Sequence, residues 1–448
     1  MTLKPIYGAI FFGSTLLATS GGVQAADLLE TFHAAQANDP VFAAARATEQ
    51  AGQEKSVQGR SQLMPTINLT ANSMYNDFSA HYFPSLLPDG QVQYNSHGFG
   101  ISLVQPLFRQ QNWMNFSESE LQAAQAVLQL KIAEQDLMLR VAQAYFDVLI
   151  AQDSVGLVNA QKIAISEQLQ QAKRNFEVGS ATITDTLEAQ ARYDLTGAQE
   201  IAAQNNLAVK RNALQQLINV MPGDLSPLGK VFKLDQPQPA DVQKWVDEAQ
   251  LSNLQLATAQ ASAEIANKEV ARNRGGHYPT VDLVANYNQN RSYGSSFGGN
   301  LGLGSDTTMK NVGVQLNFPL YQGGAVSSKL REAEANRERA RQELENARRN
   351  VEQQARQSYL GVVSGIAQVE ALQQALASSE SVLKASKLGH EVGVRTNLDV
   401  LNAQQQLFST RRDLYQAQYN YLLSQLRLKQ AVGSLGEEDM NRVNQALH

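Results

Sequence analysis

Asp185 and Asp399 occupy the same place in two echoing stretches of the chain. Glu177 to Gln190 reads EVGSATITDTLEAQ, and Glu391 to Gln404 reads EVGVRTNLDVLNAQ, with Gly third, Thr sixth and Asp ninth in each. Gly179 and Gly393 stand where a long helix should end, because glycine takes the left-handed cap conformation without a steric penalty. Thr182 and Thr396 are then candidate N-caps of a return helix. The aspartates fall in its first turn, where the helix dipole favours a carboxylate. Alone, each is an ordinary helix-start residue. In an assembly about a symmetry axis, residues on such tips repeat once per copy and converge. Carboxylates gathered in a narrow aperture raise one another's pKa and concentrate cations. One charge distinguishes the two turns, since Arg395 replaces Ala181.

Catalytic chemistry finds no comparable support. The chain has no cysteine, which excludes a disulfide framework, a thiolate metal site, a cysteine nucleophile and an acyl-cysteine anchor. Its six histidines, His33, His81, His97, His277, His390 and His448, show no short ligand spacing. Gly294-Ser295-Ser296-Phe297-Gly298 matches the string of a nucleophile elbow but lacks the strand-to-helix context that the motif requires. Gly302-Leu303-Gly304 lacks the third glycine of a dinucleotide fingerprint. No cofactor and no enzyme activity are expected. The net charge of −5 gives no footprint for nucleic acid. Arg337, Arg339, Arg341, Arg348 and Arg349 interleave with Glu334, Glu338, Glu343, Glu345 and Glu352, as on a solvated helix face.

The two turns belong to a larger duplication. The offset between them is 391 − 177 = 214 residues. Pro65-Thr66-Ile67-Asn68-Leu69 returns at the same offset as Pro279-Thr280-Val281-Asp282-Leu283, and Tyr145 with Val148 returns as Tyr359 with Val362. Gly100-Ile101-Ser102-Leu103 returns one residue short, as Gly313-Val314-Gln315-Leu316. A repeat of this length is a folded half. Lys4, the apolar run through Leu17 and the small-residue site Val23-Gln24-Ala25 form a secretory signal peptide over residues 1–25. The first half is then 26–238 and the second 239–448, each running helix, hairpin, long helix, turn, helix. The hairpins are expected at about 65–108 and 279–321, and the turns at about 179–184 and 389–396. The stretch bearing Pro222, Pro227, Pro237 and Pro239 is the expected linker.

Asn112 to Val178 contains no proline and is rich in strong helix formers. At about 1.5 Å per residue it would span roughly 100 Å, and Val326 to Leu388 does the same in the second half. Helices that long must pack side by side. Leu407, Leu414, Ala417, Tyr421, Ser424, Leu428 and Ala431 give the heptad seam of a coiled coil. Leu344, Ala347, Val351, Ala355 and Ser358 form a seam of smaller residues.

Four segments have a different period. Ile67, Leu69, Ala71, Ser73 and Tyr75 alternate with polar neighbours, as do Phe99, Ile101 and Leu103. The other two are Val281, Leu283, Ala285 and Tyr287, then Val312, Val314, Leu316 and Phe318. Each run of about ten residues carries one apolar face, the pattern of outer-membrane barrel strands. Long loops, Asn76 to Ser96 and Asn288 to Lys310, are expected to join the pairs, with Tyr75, Phe78, Tyr287, Phe318 and Tyr321 as interfacial girdles. Four strands cannot close a barrel, so two, three or four copies would be needed to give eight, twelve or sixteen.

The signal peptide, the duplicated long-helix halves, the paired hairpins and both turns together resemble the TolC family of outer-membrane channel tunnels over essentially the whole mature chain. The resemblance implies a mostly α fold with membrane β: a homotrimer whose four strands per chain make a twelve-stranded barrel on a periplasmic α-helical tube. It implies an outer-membrane exit channel, with a periplasmic adaptor and an inner-membrane exporter as partners. "QPLFRQQNW" and "RLKQAVGSL" look most like members serving type I protein secretion. The alternatives are the channel of a multidrug efflux pump and, in a different class, a non-conducting periplasmic adaptor or scaffold. By the same resemblance Asp399 matches the family's acidic aperture ring, while Asn402 stands where some members have a second Asp. Arg395 matches an arginine that contacts the first-half turn, whose partners match Thr184 and Asp185. His390 replaces a tyrosine of that lock.

Overall fold

In a computed structural model of the chain, residues 27–81, 83, 90–180, 182–229, 233–294 and 304–447 are described. The signal peptide, the Gly294-to-Gly298 string after its first residue, most of the Gly302-to-Gly304 string, and Ala181 therefore lie outside the described residues. The elements run α1 (Leu28–Asn38), α2 (Pro40–Ser61), β1 (Thr66–Ala80), β2 (Gly90–Phe108), α3 (Gln110–Glu177) and α4 (Ile183–Ile218). The second half repeats this plan as α5 (Val242–Ser252), α6 (Leu254–Arg274), β3 (Thr280–Ser292), β4 (Ser305–Asn317), α7 (Ala325–Glu391) and α8 (Asn397–Val432), with α9 (Glu437–Gln445) closing the chain.

The strands form one antiparallel sheet in the order β1-β2-β3-β4. Its register places Leu69 opposite Ile101, Ile101 opposite Tyr287, and Leu283 opposite Val314. The alternation of the sequence thus becomes one continuous apolar face. Ile67, Leu69, Val312, Val314 and Leu316 on it are 66–77% exposed in the single chain. On the other face, Asn286 donates to Asn311 at 3.0 Å. A Cβ at Gly100 would come within 2.3 Å of the Asn288 Oδ1, so glycine there makes room for the amide.

Both hairpin ladders run further than the expected loop bounds of Asn76 to Ser96 and Asn288 to Lys310. β1 and β2 stay paired out to Ala80 and Gly90, and β3 and β4 out to Ser292 and Ser305. Polar cross-strand partners hold these extensions. Asp77 accepts from Gln91 at 2.9 Å and Gln93 at 3.0 Å, and Arg291 pairs with Asp306. Among the expected girdle residues, Phe318 and Tyr321 fall just past the end of β4.

The helices meet below the sheet. Arg109, at the end of β2, grips Asp282 of β3 through two bonds of 2.8 and 2.6 Å, tying the two hairpins where they join the helices. Midway down, α1, α3, α5, α8 and α9 bury a shared core of Phe32, Tyr145, Phe146, Trp245, Tyr419 and Met440. The proline-bearing stretch between halves packs on that core. The Tyr145 hydroxyl donates to the Ser226 carbonyl, and the Trp245 indole to the Pro239 carbonyl. Beyond the core α3 pairs with α4 and α7 with α8, giving two bare hairpins. The α8 seam lies inward, with Leu407, Leu414, Ala417, Tyr421, Leu428 and Ala431 all buried. Among the described residues no helix is long and apolar enough to cross a membrane.

Two predictions follow from these contacts. Arginine in place of Leu69 or Leu316 should reduce the yield of assembled protein in outer membranes, at about 2–4 kcal/mol where the site lies near the midplane. Arginine at Asn68 or Asn317, on the other face, should be mild, and equal losses would overturn the assignment of faces. The second concerns Asp153, whose carboxylate accepts from the Tyr419 hydroxyl at 2.9 Å. Burial raises its pKa above the ordinary value of 3.8, against the opposing effect of that bond. A carboxyl whose folded pKa is raised binds protons more readily in the fold, so its contribution falls as pH rises from 3.8 through the raised value. Asp153→Asn, which keeps the acceptor, should therefore raise the melting temperature at pH 7 and flatten its acid-side pH dependence.

Candidate functional site

The two hairpin tips repeat one local structure. Gly179 and Gly393 sit at φ +79° and +81°, in the left-handed region where a side chain would be strained. Each follows a helix end and is followed by a complete capping box. The Asp185 carboxylate accepts from the Thr182 backbone N–H at 3.0 Å, and the Thr182 hydroxyl is within reach of the Asp185 N–H at 3.3 Å. In the second tip Asp399 accepts from the Thr396 N–H and hydroxyl, each at 2.9 Å. The T-x-x-D spacing thus uses both aspartates to satisfy the first turn's free donors.

For Asp399 the electrostatic result is definite. The Thr396 N–H, then its hydroxyl, and then the nearby Arg395 charge hold its carboxyl below the ordinary 3.8. Convergence of several copies would push the other way, so within one chain the direction is opposite to that expected for a ring. The carboxylate is charged at neutral pH and faces solvent at the end of the hairpin.

The tips of the two halves face each other across a cleft of about 640 Å³ lined by Ser180, Thr182, Asp185, His390, Arg395 and Thr396. Thr184 is exposed and stands outside this lining. Asp185, His390 and Arg395 are therefore gathered around one space, but within the chain Arg395 does not bond to Asp185 or Thr184. Its guanidinium instead lies 3.9 Å from Asp399 in its own turn. The His390 backbone carbonyl accepts from the Gly393 N–H at 3.1 Å, and its imidazole makes no side-chain bond among the described residues.

Gly389 was not singled out by the sequence, and the structure gives it a clear duty. It is buried, and a Cβ there would stand 2.7 Å from Cγ of Arg395. The Gly389 carbonyl also accepts from the N–H of Val394 at 2.8 Å and of Arg395 at 3.1 Å. The arginine stem is folded onto a bare patch of helix. The first-half counterpart is Asn175, by the 214-residue offset (389 − 214 = 175), in a turn with no arginine to receive. Among the described residues no group of carboxylates and histidines could hold a metal ion.

A family model described as "Outer membrane efflux protein" matches residues 31–220 and 245–434. The chain is 34% identical over 441 residues to "Outer membrane protein TolC" of Vibrio cholerae, covering 98% of each chain. It is 33% identical over 442 residues to "Alkaline protease secretion protein AprF" of Pseudomonas aeruginosa, covering 96% of this chain and 89% of that one. Among solved structures it superposes on the CmeC outer membrane channel of Campylobacter jejuni with a TM-score of 0.78 at 15% identity, covering 99% and 98% of the two chains.

Gly389→Ala should displace Arg395 without removing its charge. The effect on channel leakage should match that of Arg395→Ala in direction, and the two together should be no worse than the stronger one alone, because they act through one side chain. Leakage of a normally excluded antibiotic into intact cells measures this.

Proposed function

Since the chain belongs to the outer membrane efflux protein family, a family of outer-membrane channels and not of enzymes, we propose that it is the passive exit duct of a three-part export system, serving protein secretion. The observation that carries the reading is a four-stranded sheet with two open edges and an apolar outer face, standing on helical hairpins about 100 Å long. Three copies would close a twelve-stranded barrel in the outer membrane and a helical tube below it, reaching toward a periplasmic adaptor and an inner-membrane exporter. In this reading the energy comes from the exporter. The similarity to a relative named for protease secretion supports protein cargo. The exposed apolar belt argues against a scaffold confined to the periplasm.

In such an assembly Asp399 supplies one acidic ring at the tip, and Asn402, one turn on, leaves a second ring neutral. Arg395, which makes no bond to Asp185 in the single chain, shares the tip cleft with it and contacts the first-half turn there when the copies assemble. Each such exposed contact is worth about 0–1 kcal/mol, and symmetry repeats it. His390 and Thr184 flank that contact.

Planar-bilayer recording tests the duct. Asp399→Ala should lower cation selectivity and weaken block by multivalent cations, while unchanged selectivity would place the ring elsewhere. Arg395→Ala and Asp185→Ala should each raise closed-state conductance, and together by less than the sum if they share a contact. Cargo is tested in cells lacking the chain. Proteins dependent on a type I exporter should disappear from the medium while drug susceptibility stays constant. The reverse pattern would favour drug efflux.

A further inference from the structure

From the shared core to the tips the two hairpins of one chain are joined by few side-chain bonds. On α8, Arg427 donates to Gln143 of α3 at 3.1 Å, and Tyr419 donates to Asp153 at 2.9 Å. Tipward of these, among the described residues, one side chain on α3 or α4 forms hydrogen bonds to the α7–α8 hairpin. Arg192 of α4 donates from Nη2 to the Asn402 Oδ1 at 3.0 Å and from Nη1 to the Gln405 Oε1. Gln405 lies fourteen residues from Tyr419 on α8 (419 − 405 = 14), or about 20 Å along the helix.

The seam is open on both sides of this bond. Toward the core lies a cleft of about 420 Å³ lined by Leu157, Ile165, Leu195, Leu401 and Phe408, and toward the tip lies the cleft that holds Asp185 and Arg395. Arg192 thus spans a gap that packing does not fill. Both of its acceptors are neutral amides, and no carboxylate stands within ion-pair distance of it among the described residues. Its positive charge therefore sits one turn from Asp399, at the level of Asn402. The duplication sharpens this. The first-half counterpart of Asn402 is Glu188 (402 − 214 = 188), so the repeat carries an acid in one half and an amide under a guanidinium in the other.

We propose that Arg192 is a positioning residue of the aperture, a strut that fixes the distance of α8 from α4 and puts a positive charge at the Asn402 level of the pore. This rests on the reading of the tips as a channel constriction. Geometry separates the two effects. The planar guanidinium reaches two acceptors on one helix face at once, which a lysine ammonium cannot reproduce. Charge alone, by contrast, survives in lysine.

The test is single-channel recording of the full-length assembled protein. Arg192→Gln should raise closed-state conductance severalfold and also raise cation selectivity. Arg192→Lys should raise conductance similarly but keep the wild-type selectivity. Asn402→Asp should barely change selectivity while Arg192 is present, and should raise the cation-to-anion permeability ratio by about fivefold or more in the Arg192→Gln background. Unchanged conductance in both Arg192 variants overturns the strut. An equal effect of Asn402→Asp in both backgrounds overturns the charge assignment. Asp399→Ala in the same recordings separates these failures from failure of the reading beneath them. A selectivity loss there with silent Arg192 variants removes the strut alone, whereas no change at Asp399 removes the constriction and the strut with it.

Discussion

The unpaired backbone along the outer edges of β1 and β4 governs the rest of this molecule. The sheet ends at those strands, and its outer face is apolar along the rungs from Val281 and Leu316 to Leu69 and Ile101. In lipid each unsatisfied N–H or carbonyl costs several kcal/mol, which side-chain packing cannot offset over a whole edge. The edge of β4 must therefore meet the edge of a β1 from another copy. That one requirement makes the chain a wedge of a ring and converts single residues on the hairpin tips into rings of residues. On the proposed reading, a carboxylate that would be an unremarked helix cap in a monomer becomes part of an aperture. The Arg109 pair with Asp282 carries the constraint downward, because it fixes the β2–β3 junction to the head of α3.

The duplication supplies the wedge cheaply, since one hairpin-and-helix plan written twice yields four strands and two long hairpins. Function then shows where the copies diverge. Both tips keep the glycine turn and the T-x-x-D cap, which the backbone demands regardless of role. The second tip adds Arg395 and the bare Gly389 surface on which its stem rests. It also exchanges the acid at the Glu188 position for Asn402. The first half in turn carries Arg192, whose own counterpart in the second half is Gln406 (192 + 214 = 406). The charged positions thus differ between the halves, with Arg395 on the second tip and Arg192 of the first half facing the neutral amides of Asn402 and Gln405.

The sequence made legible what repeats over short distances. Alternation at Ile67-to-Tyr75 and Val312-to-Leu316 reveals strands because every second side chain meets lipid. The heptads of α8 reveal a seam because successive turns bury one stripe. The strand extensions past Tyr75 and Tyr287 were not legible, since Asp77 with Gln91 and Arg291 with Asp306 look like loop residues until the register sets them opposite each other. Gly389 carries no signal of its own, because its importance lies in where the Arg395 stem folds. Arg192 and Asn402 are 210 residues apart, and no local pattern joins them.

The uneven distribution of strength along the hairpins has a physical logic. The core at the level of Tyr145 and Tyr419 is close-packed and buries large aromatic side chains, so opening it would cost many contacts at once. Toward the tips the seam between hairpins becomes clefts crossed by single polar side chains. A neutral–neutral or charge-assisted bond in water contributes about 0.5–3 kcal/mol, small enough for a docked partner to replace. On the proposed reading of a duct that opens on engagement, that contrast supplies a rigid collar and, below it, a lever held by few bonds. With Arg192 about 20 Å from the collar, a rotation of α8 about the core moves the Asn402 level farther than it moves the side chains near Tyr419. On the proposed reading that bond is the last one between the two hairpins before the tip among the described residues, so its loss is what frees α8 to move.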